Sequence, residues 1–577
     1  MTRAELLPWR GRVTALPWGL WLGFTLLSAG CQGNVDGALP TTVEPIPSNG
    51  GGTASTPNTG GQPPTCTTPA PGPSPLRRLT HREYDNTTRD LMGDDSHLSS
   101  QFSREELFLG FDNNATARGT TTLLAEQYMN AAETLAANAV KSLQVFSGCD
   151  ANDAAGRDAC ARGFIERFGA KAFRAPLADA ERARLIALYT GASAAWGFSK
   201  GVELTLAAIL QSPRYLYRVE FGVAPDTTGA APNVKALTPY ELASRLSYLL
   251  WGTMPDQPLL DAAGAGQLTT REQLATQARR LLASERPHYV MTDFHRQWLG
   301  LDLIDGFDST ADGFSNDLRP LMRQESAQLV EAAIWQEGGK LSTLLTAPFS
   351  FMNQRLAGFY GITGPSGDTF EKVALDPQQR LGILTQGGIL AAHSHAAKTS
   401  PVLRGKFVRE QLLCNPPPPP PPGVDFTVAE KDSSLTVRQQ SESHRADAAC
   451  AACHRFMDPI GLTFEGFDAV GRYRTLEDAE PVDTSGELAG TDVDGPISGP
   501  SELAQKLAGS AQVKSCVVRQ WFRYAYARDE VSDQDTCNVA SLEGAFANSD
   551  GNIPELLLAL TQTDAFLYRS VAAGEAP

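Results

Sequence analysis

The sequence contains few of the residues that most often build metal and redox sites: its 577 residues include nine cysteines and eight histidines. It lacks the hydrolase motif GxSxG, the metalloprotease motif HExxH and a complete calcium-binding loop. The nearest acidic runs, DVDG at Asp492 and DSTADG at Asp308, do not have the ligand spacing of a calcium loop. These absences argue against a hydrolase of these types.

Long apolar runs are also missing after the first thirty residues, so no later segment is apolar enough to span a bilayer. The formal net charge is -16, and an acidic surface repels nucleic acid and anionic lipid. We therefore expect no nucleic-acid partner. Since a single hydrophobic core stops growing at about 250 to 300 residues, a chain of this length should form several packed modules.

Strand patterns are sparse, and helical patterns dominate. Thr238 and Glu241, like Thr80 and Glu83, have the spacing of a capping box at a helix start. The best strand signal is a hairpin within Pro481 to Gly499. The predicted fold class is mainly α, with helices near 120–146, 179–192, 200–217, 270–300, 317–337, 501–527 and 537–547.

The N-terminus has the pattern of an export signal. Arg3, Arg10 and Arg12 precede the apolar run WGLWLGFTLLSAG, which ends at Cys31. The small residues before Cys31 resemble a bacterial lipobox, which predicts a signal peptide over 1–30 and lipidation of Cys31. Ordinary signal cleavage is the alternative. The prediction is an exported lipoprotein, periplasmic or on the cell surface, anchored in the outer membrane.

Two segments have the composition of linkers. Residues 31–75 are rich in Pro, Gly, Ser and Thr, which predicts a disordered tether. Pro416 to Pro422 form an uninterrupted run that must adopt polyproline II, with a length of roughly 20 Å. We interpret this run as a stiff spacer that divides a larger helical body from a C-terminal module.

In an oxidising compartment, persistent cysteines are usually paired or otherwise occupied. The sequence predicts two disulfides, each closing a short loop between helical stretches: Cys149 with Cys160, and Cys516 with Cys537. A disulfide between Cys66 and Cys414 is possible, but Cys66 lies in the predicted tether and nothing in the sequence sets its reach, so the roles of both cysteines stay open.

The remaining two cysteines belong to CAACH, Cys450 to His454. A thioredoxin-like redox pair needs a preceding strand, and a structural zinc site needs two further ligands at defined spacing; neither is present nearby. Covalent haem uses every residue of the motif, because Cys450 and Cys453 form thioethers with the vinyl groups and His454 binds the iron. We favour one covalently attached haem c, with His454 as the proximal iron ligand.

The sequence leaves the sixth iron ligand open. Met457 is one turn after His454 on the same side of a helix, so it cannot easily pass to the opposite haem face. We expect the carbonyl of Pro459 to orient His454 through its second ring nitrogen. Either the sixth site is open, or one of three histidines fills it: His393, His395 or His444.

Several stretches together resemble large exported bacterial proteins, abundant in planctomycetes and myxobacteria, that are built from consecutive domains of unknown function with a planctomycete cytochrome-c-like domain. The resemblance implies covalent haem at Cys450 and Cys453 with His454 as ligand, and it supplies no established reaction. The stretches are LRRLTHREYDNTTRDLMGD, FIERFGAKAFRAPL, LQSPRYLYRVE, LTPYELASRLSYLLWGTMPD, RLGILTQGGILAAHSHAAKTSPVLRGKFVREQLL with the proline run, CAACHRFMDPIGLTFEGFDAVGRYR and FRYAYARDE.

The predicted organisation is a multi-module helical body followed by a small cytochrome-c-like helical module with a short β hairpin. After the signal peptide and tether, the modules are N-terminal helical (76–148), helical (149–225), central helical (226–365), connecting with the proline spacer (366–423), haem-attachment (424–500) and C-terminal helical (501–577).

The sequence favours a membrane-anchored, exported monohaem c-type cytochrome-like lipoprotein that transfers electrons or performs haem redox chemistry. If it is an enzyme, it is a haem-dependent oxidoreductase; the sequence identifies neither a substrate nor a redox partner protein. The alternative is a non-catalytic binding or scaffold lipoprotein in which haem is structural or absent.

Overall fold

The computed structural model of the chain describes Cys66 and residues 68–115, 119–224, 233–418 and 435–571. The predicted signal peptide, the lipidation site Cys31 and most of the predicted tether lie outside these residues, as do residues 419–434. The structure is 58% helical with short two-stranded sheets, which confirms the mainly α prediction. Within the described ranges, no helix combines the length and apolar character needed to cross a membrane.

The N-terminal part has its own hydrophobic core, centred on contacts among Tyr84, Phe102, Tyr128 and Tyr215. Its elements are β1 (Arg77–Arg78), α1 (His81–Met92), α2 (Thr122–Lys141), α3 (Leu143–Ser147), α4 (Arg157–Ala172), α5 (Asp179–Trp196), α6 (Phe198–Leu210), α7 (Pro213–Leu216) and β2 (Tyr217–Arg218), with β1 and β2 antiparallel. The capping box at the start of α1 is confirmed: Thr80 Oγ1 accepts from the Glu83 amide, and the Glu83 carboxylate accepts from the Thr80 amide.

A second, larger core runs through the central and C-terminal parts. The central elements are β3 (Val234–Ala236), α8 (Pro239–Trp251), α9 (Gln257–Gly264), α10 (Arg271–Leu282), α11 (Arg286–Trp298), α12 (Leu318–Trp335), α13 (Leu341–Thr346), β4 (Phe349–Met352), α14 (Gln354–Tyr360) and β5 (Glu371–Ala374). The second predicted capping box, Thr238 with Glu241, is present at the start of α8.

The last third of the chain adds most of its helices, though not the one over Val437–Arg445, to that same core. Its elements are α15 (Gly387–Ala392), α16 (Pro401–Phe407), α17 (Val437–Arg445), α18 (Ala448–Leu462), β6 (Leu476–Glu477), β7 (Glu480–Pro481), β8 (Ser485–Leu488), β9 (Gly495–Ser498), α19 (Pro500–Gly509), α20 (Ala511–Tyr526), α21 (Ser532–Asn548), α22 (Ile553–Leu560), α23 (Asp564–Leu567) and β10 (Tyr568–Ser570). The predicted hairpin is β8 paired antiparallel with β9, and β10 pairs with β3.

The proline run does not hold two modules apart. Helix α16, before the run, packs against α18, after it, and the sulfur of Cys453 lies 3.3 Å from the carbonyl oxygen of Pro418. The spacer interpretation is therefore wrong. A stiff segment fixes the distance between its own ends, but it does not prevent the elements beyond those ends from folding back together.

Three disulfides are present among the described residues: Cys66–Cys537, Cys149–Cys160 and Cys414–Cys516. The first predicted pair, Cys149 with Cys160, is confirmed. The pairing of Cys516 with Cys537 is wrong, although both are in disulfides. Cys516 is ten residues before the end of α20 and Cys537 five after the start of α21. At about 1.5 Å of rise per residue, they lie at different heights along the two helices.

The disulfide of Cys66 fastens the end of the predicted tether to the C-terminal part of the chain. The segment that follows Cys66 continues along this surface: Asn538 donates to the Ala70 carbonyl, Arg528 to the Pro71 carbonyl and Ser570 to the Gly72 carbonyl. Residues near the start of the folded body are thus bound to residues near its end.

A buried hydrogen-bonded network joins α12 to the segment that leads into α15. Ser350 donates to one carboxylate oxygen of Glu325 at 2.7 Å, and Tyr360 donates to the other at 2.8 Å. Gln386 donates to Ser350 and accepts from Ser326. Burial raises the pKa of Glu325 to about 7, and the hydrogen bonds from Ser350 and Tyr360 only partly oppose this rise.

The disulfide pairing gives the first prediction. Non-reducing peptide mapping of the exported protein should recover Cys66 linked to Cys537 and Cys414 linked to Cys516. The double variant Cys414→Ser/Cys516→Ser should lose about 4 kcal/mol of unfolding free energy in denaturant titration, because this bond closes a loop of about 100 residues. Cys149→Ser/Cys160→Ser, which opens a much shorter loop, should lose less. Recovery of a Cys516–Cys537 peptide would contradict the pairing.

The second prediction concerns Glu325. Its pKa is raised above the unfolded value near 4.5, so the native state holds this proton more tightly, and the associated stability is lost as pH rises from about 4.5 to 7. Relative to the wild type, Glu325→Gln should therefore gain roughly 3 kcal/mol of unfolding free energy between pH 4.5 and pH 8. Urea titrations at both pH values measure this difference. The exposed control Glu371→Gln should show no such trend, and an equally flat result for Glu325→Gln would refute the assignment.

Candidate functional site

The CAACH motif lies in the first two turns of α18. Asp447 immediately precedes the helix, and its carboxylate accepts from the backbone amide of Cys450 at 3.4 Å, the arrangement of a helix N-cap. Cys450, Cys453 and His454 have the i, i+3, i+4 spacing that places side chains on one helical face. The structure thus brings the three residues predicted from the sequence together.

Both thiols of the motif are available for chemistry. Cys450 and Cys453 are the cysteines that remain outside disulfides in the described part of the chain, and both are partly exposed. The sulfur of Cys453 donates to the carbonyl of Pro418, at the beginning of the proline run. A group bonded to both sulfurs would lie on this face of α18, beside the proline run.

The imidazole of His454 is oriented by a carboxylate. Its Nδ1 lies 3.0 Å from Oδ1 of Asp458, which is one helical turn further on and 1% exposed. Ser441, on α17, donates to Oδ2 of the same carboxylate at 2.6 Å. The expectation that the carbonyl of Pro459 orients His454 is wrong. The i+4 side chain lies beside His454, whereas the Pro459 carbonyl approaches Gly486 of β8.

The Nε2 atom of His454 faces a second histidine. His444, near the end of α17, places its own Nε2 3.3 Å away, and the two rings are nearly perpendicular with centroids 4.5 Å apart. Because a carboxylate only accepts, Nδ1 of His454 carries the proton in this network, and Nε2 presents a lone pair. This is the tautomer required of an imidazole that binds a metal through Nε2.

The other sixth-ligand candidates contact different parts of the molecule. His393 stacks on Phe407 with ring centroids 4.2 Å apart and lies beside Gly300. His395 is exposed, and its backbone amide donates to the carbonyl of Lys398. Met457 is buried where α18 crosses α16, which agrees with its exclusion as a ligand.

Glycines set the position of α18. A Cβ atom at Gly405 of α16 would overlap with the backbone of Met457, and one at Gly461 of α18 would overlap with the carbonyl of Pro401. Gly486 has the same relation to the carbonyl of Pro459. The second half of α18 is therefore in backbone contact with its neighbours, while its first two turns, which carry CAACH, extend beyond this crossing.

A buried arginine anchors the chain after α18. Arg404 of α16 is 2% exposed and donates to the backbone carbonyls of Phe464, Phe467 and Asp468. Burial lowers the pKa of Arg404 to about 10, an effect that the nearby carboxylate of Glu465 partly offsets. These three hydrogen bonds hold the chain that follows α18 against α16.

A second cluster of charged residues, which the sequence analysis did not identify, joins α1, α11 and α20. Arg82 of α1 forms ion pairs with Asp112 and with Asp293 of α11, and Tyr524 of α20 donates to Asp293 at 3.0 Å. Burial raises the pKa of Asp293, although Arg82 opposes this. Cavities of about 280 and 400 Å³ adjoin the cluster and share Arg82 and Tyr289. The partners are too far apart in sequence for any motif to reveal them.

The zinc alternative for CAACH finds no support in the described ranges. There, no group of three or more His, Cys, Asp or Glu side chains is arranged to hold a metal ion. A structural zinc site needs four protein ligands, and CAACH with His444 does not assemble them.

The glycine contacts give the third prediction. Gly461→Ala should lower the unfolding free energy by about 1 to 3 kcal/mol, because its methyl group must push α16 and α18 apart. Gly191→Ala is the matched control, since Gly191 is also within a helix and a Cβ there meets no atom within 4 Å. The control should gain roughly 0.5 to 1 kcal/mol from helix propensity. Urea unfolding followed by circular dichroism measures both, and equal effects at the two positions would contradict the close crossing.

Comparison with known proteins gives family matches but no individual relatives. No curated protein and no solved structure matches the chain. Five families match consecutive regions, each described as a protein of unknown function: DUF1587 (77–141), DUF1595 (160–220), DUF1592 (237–362), DUF1588 (380–477) and DUF1585 (494–566).

The DUF1588 region contains CAACH, His444 and Asp458, and DUF1588 and DUF1585 are families of the planctomycete cytochrome-c-like type. The charged cluster connects three of the matched regions, because Arg82, Asp293 and Tyr524 each belong to a different one.

The order of the five matched regions agrees with the resemblance found in the sequence. The chain belongs to the proteins built from this set of five consecutive domains of unknown function, the planctomycete cytochrome-like set.

Proposed function

We propose that this protein is a monohaem c-type cytochrome-like protein in which haem is bound covalently to Cys450 and Cys453, with His454 as an iron ligand. The observation that carries the proposal is the arrangement around His454. Two cysteines outside disulfides lie on the same helical face, Nδ1 is occupied by a buried carboxylate, and Nε2 presents its lone pair on that face.

The side chains of Cys450, Cys453 and His454 are those that a covalently attached haem requires. Haem supplies an iron that changes oxidation state by one electron and, where a coordination position is open, binds small ligands. Cys450 and Cys453 would fix the group on the first two turns of α18. Asp458, held by Ser441, keeps the His454 ring in one orientation and one tautomer. It also makes Nε2 a stronger donor, because a neighbouring carboxylate raises the basicity of a ligating imidazole.

Electron transfer is the activity that this arrangement favours. Asp458, as the carboxylate partner of His454, would stabilise positive charge on a bound iron and so favour its oxidised state. The first two turns of α18 are partly exposed, which leaves the site accessible to a redox partner protein. If the protein is instead an enzyme, the same residues make it a haem-dependent oxidoreductase.

The proposal includes export, since covalent haem attachment takes place outside the bacterial cytoplasm. Residues 1–30 would be the signal peptide, and a lipid on Cys31 would hold the protein on the outer membrane or cell surface. Each buried methylene of an acyl chain adds about 0.8 kcal/mol of membrane affinity, so two or three chains give a stable anchor. The three disulfides of the described residues agree with folding in an oxidising compartment.

The fourth prediction tests the haem itself. Full-length protein, produced in a bacterial host with cytochrome-maturation machinery, should contain one haem per chain that survives acid-acetone extraction and denaturing electrophoresis. The variant Cys450→Ala/Cys453→Ala should lose all covalent haem. His395→Ala, which changes an exposed histidine outside the motif, should retain it.

A pyridine haemochrome spectrum and haem staining of the gel measure this outcome. Wild-type protein that carries its disulfides, and is therefore exported, yet contains no covalent haem would refute the proposal. That result would favour the non-catalytic binding or scaffold protein instead.

A further inference from the structure

Helix α17 provides residues at both ends of the hydrogen-bonded group around His454. Ser441 and His444 are three residues apart on α17, so both project toward α18. Ser441 holds the carboxylate of Asp458, which occupies Nδ1 of His454, while His444 lies at Nε2. Helix α17 therefore acts on both ring nitrogens of His454: Ser441 acts on Nδ1 through Asp458, and His444 faces Nε2.

The hydrogen bond between the histidines determines which atoms face each other. His454 carries its proton on Nδ1, so its bare Nε2 accepts, and His444 donates from Nε2. In the tautomer of His444 that carries its proton on Nδ1, the Nε2 lone pair of His444 is directed toward His454. Two imidazole nitrogens that face each other are the donors needed for two axial positions of one metal ion.

We propose that His444 is the second axial ligand of the iron, on the face opposite His454. This inference rests on the proposed function. Metal–imidazole bonds are about 2.0 Å long, so the two nitrogens must move apart from their present 3.3 Å. Helix α17 permits this movement, because it is nine residues long and none of its residues is buried.

The alternative ligands would need larger changes. His393 would have to leave its stacking contact with Phe407. Met457 is held by the crossing of α18 with α16, and lies on the same helical face as His454. For His444 to bind the iron, only α17, a helix without buried residues, has to shift.

A filled sixth position determines the reactivity of the protein. With both axial positions taken by histidine, the iron transfers electrons and does not bind oxygen, peroxide or carbon monoxide without first losing a ligand. His444 is therefore the residue that sets the protein toward electron transfer.

The fifth prediction tests this ligand in the full-length haem-containing protein. Wild-type protein should give low-spin ferric absorption and electron paramagnetic resonance spectra, and its ferrous form should not shift when carbon monoxide is added. His444→Ala should convert the ferric signal to high spin, and carbon monoxide should shift the ferrous Soret band. His444→Met should restore a low-spin form with an altered spectrum.

His395→Ala is the matched control and should behave as the wild type. Near-UV circular dichroism of each variant checks that the fold is retained. A high-spin wild type, or a His444→Ala variant that stays low-spin and unreactive to carbon monoxide, would overturn the inference while leaving covalent haem in place. Absence of covalent haem from the wild type would overturn the proposed function and this inference together.

Discussion

Direct backbone contact between α18 and its neighbours determines how CAACH is presented. Gly405, Gly461 and Gly486 remove the side chains that would keep these backbones apart. The positions of Cys450, Cys453, His454 and Met457 follow one face of the helix, and the crossing buries this face at Met457 while leaving its first two turns accessible. CAACH is thereby held at the end of a helix whose second half is fixed by backbone contacts.

A short chain of hydrogen bonds orients His454 in the accessible first two turns of α18. Ser441 binds Asp458, Asp458 binds His454, and His454 faces His444. Each bond fixes the next side chain, and the buried carboxylate costs little to desolvate because both its oxygens are hydrogen-bonded. The arrangement gives His454 a defined tautomer and ring orientation.

Ion pairs, hydrogen bonds and disulfides connect distant parts of the described chain. Arg82 connects α1 to α11, the Glu325 network connects α12 to the segment before α15, and Cys66–Cys537 closes the body from end to end. Cys414, two residues before the proline run, is bonded to Cys516 of α20.

The sequence alone determined the features that depend on local spacing: the helical class, the capping boxes at Thr80 and Thr238, the β8–β9 hairpin, the Cys149–Cys160 disulfide and the clustering of Cys450, Cys453 and His454. Tertiary structure decided the partners of Cys516 and Cys537, the packing of α16 against α18 across the proline run, and the choice of Asp458 and His444 as neighbours of His454. The physical reason is that hydrogen bonding and side-chain periodicity act over three or four residues, whereas the meeting of distant residues depends on how helices cross. The glycines at those crossings can be read from the sequence. Which backbone segment packs directly against each glycine is decided only when the helices pack.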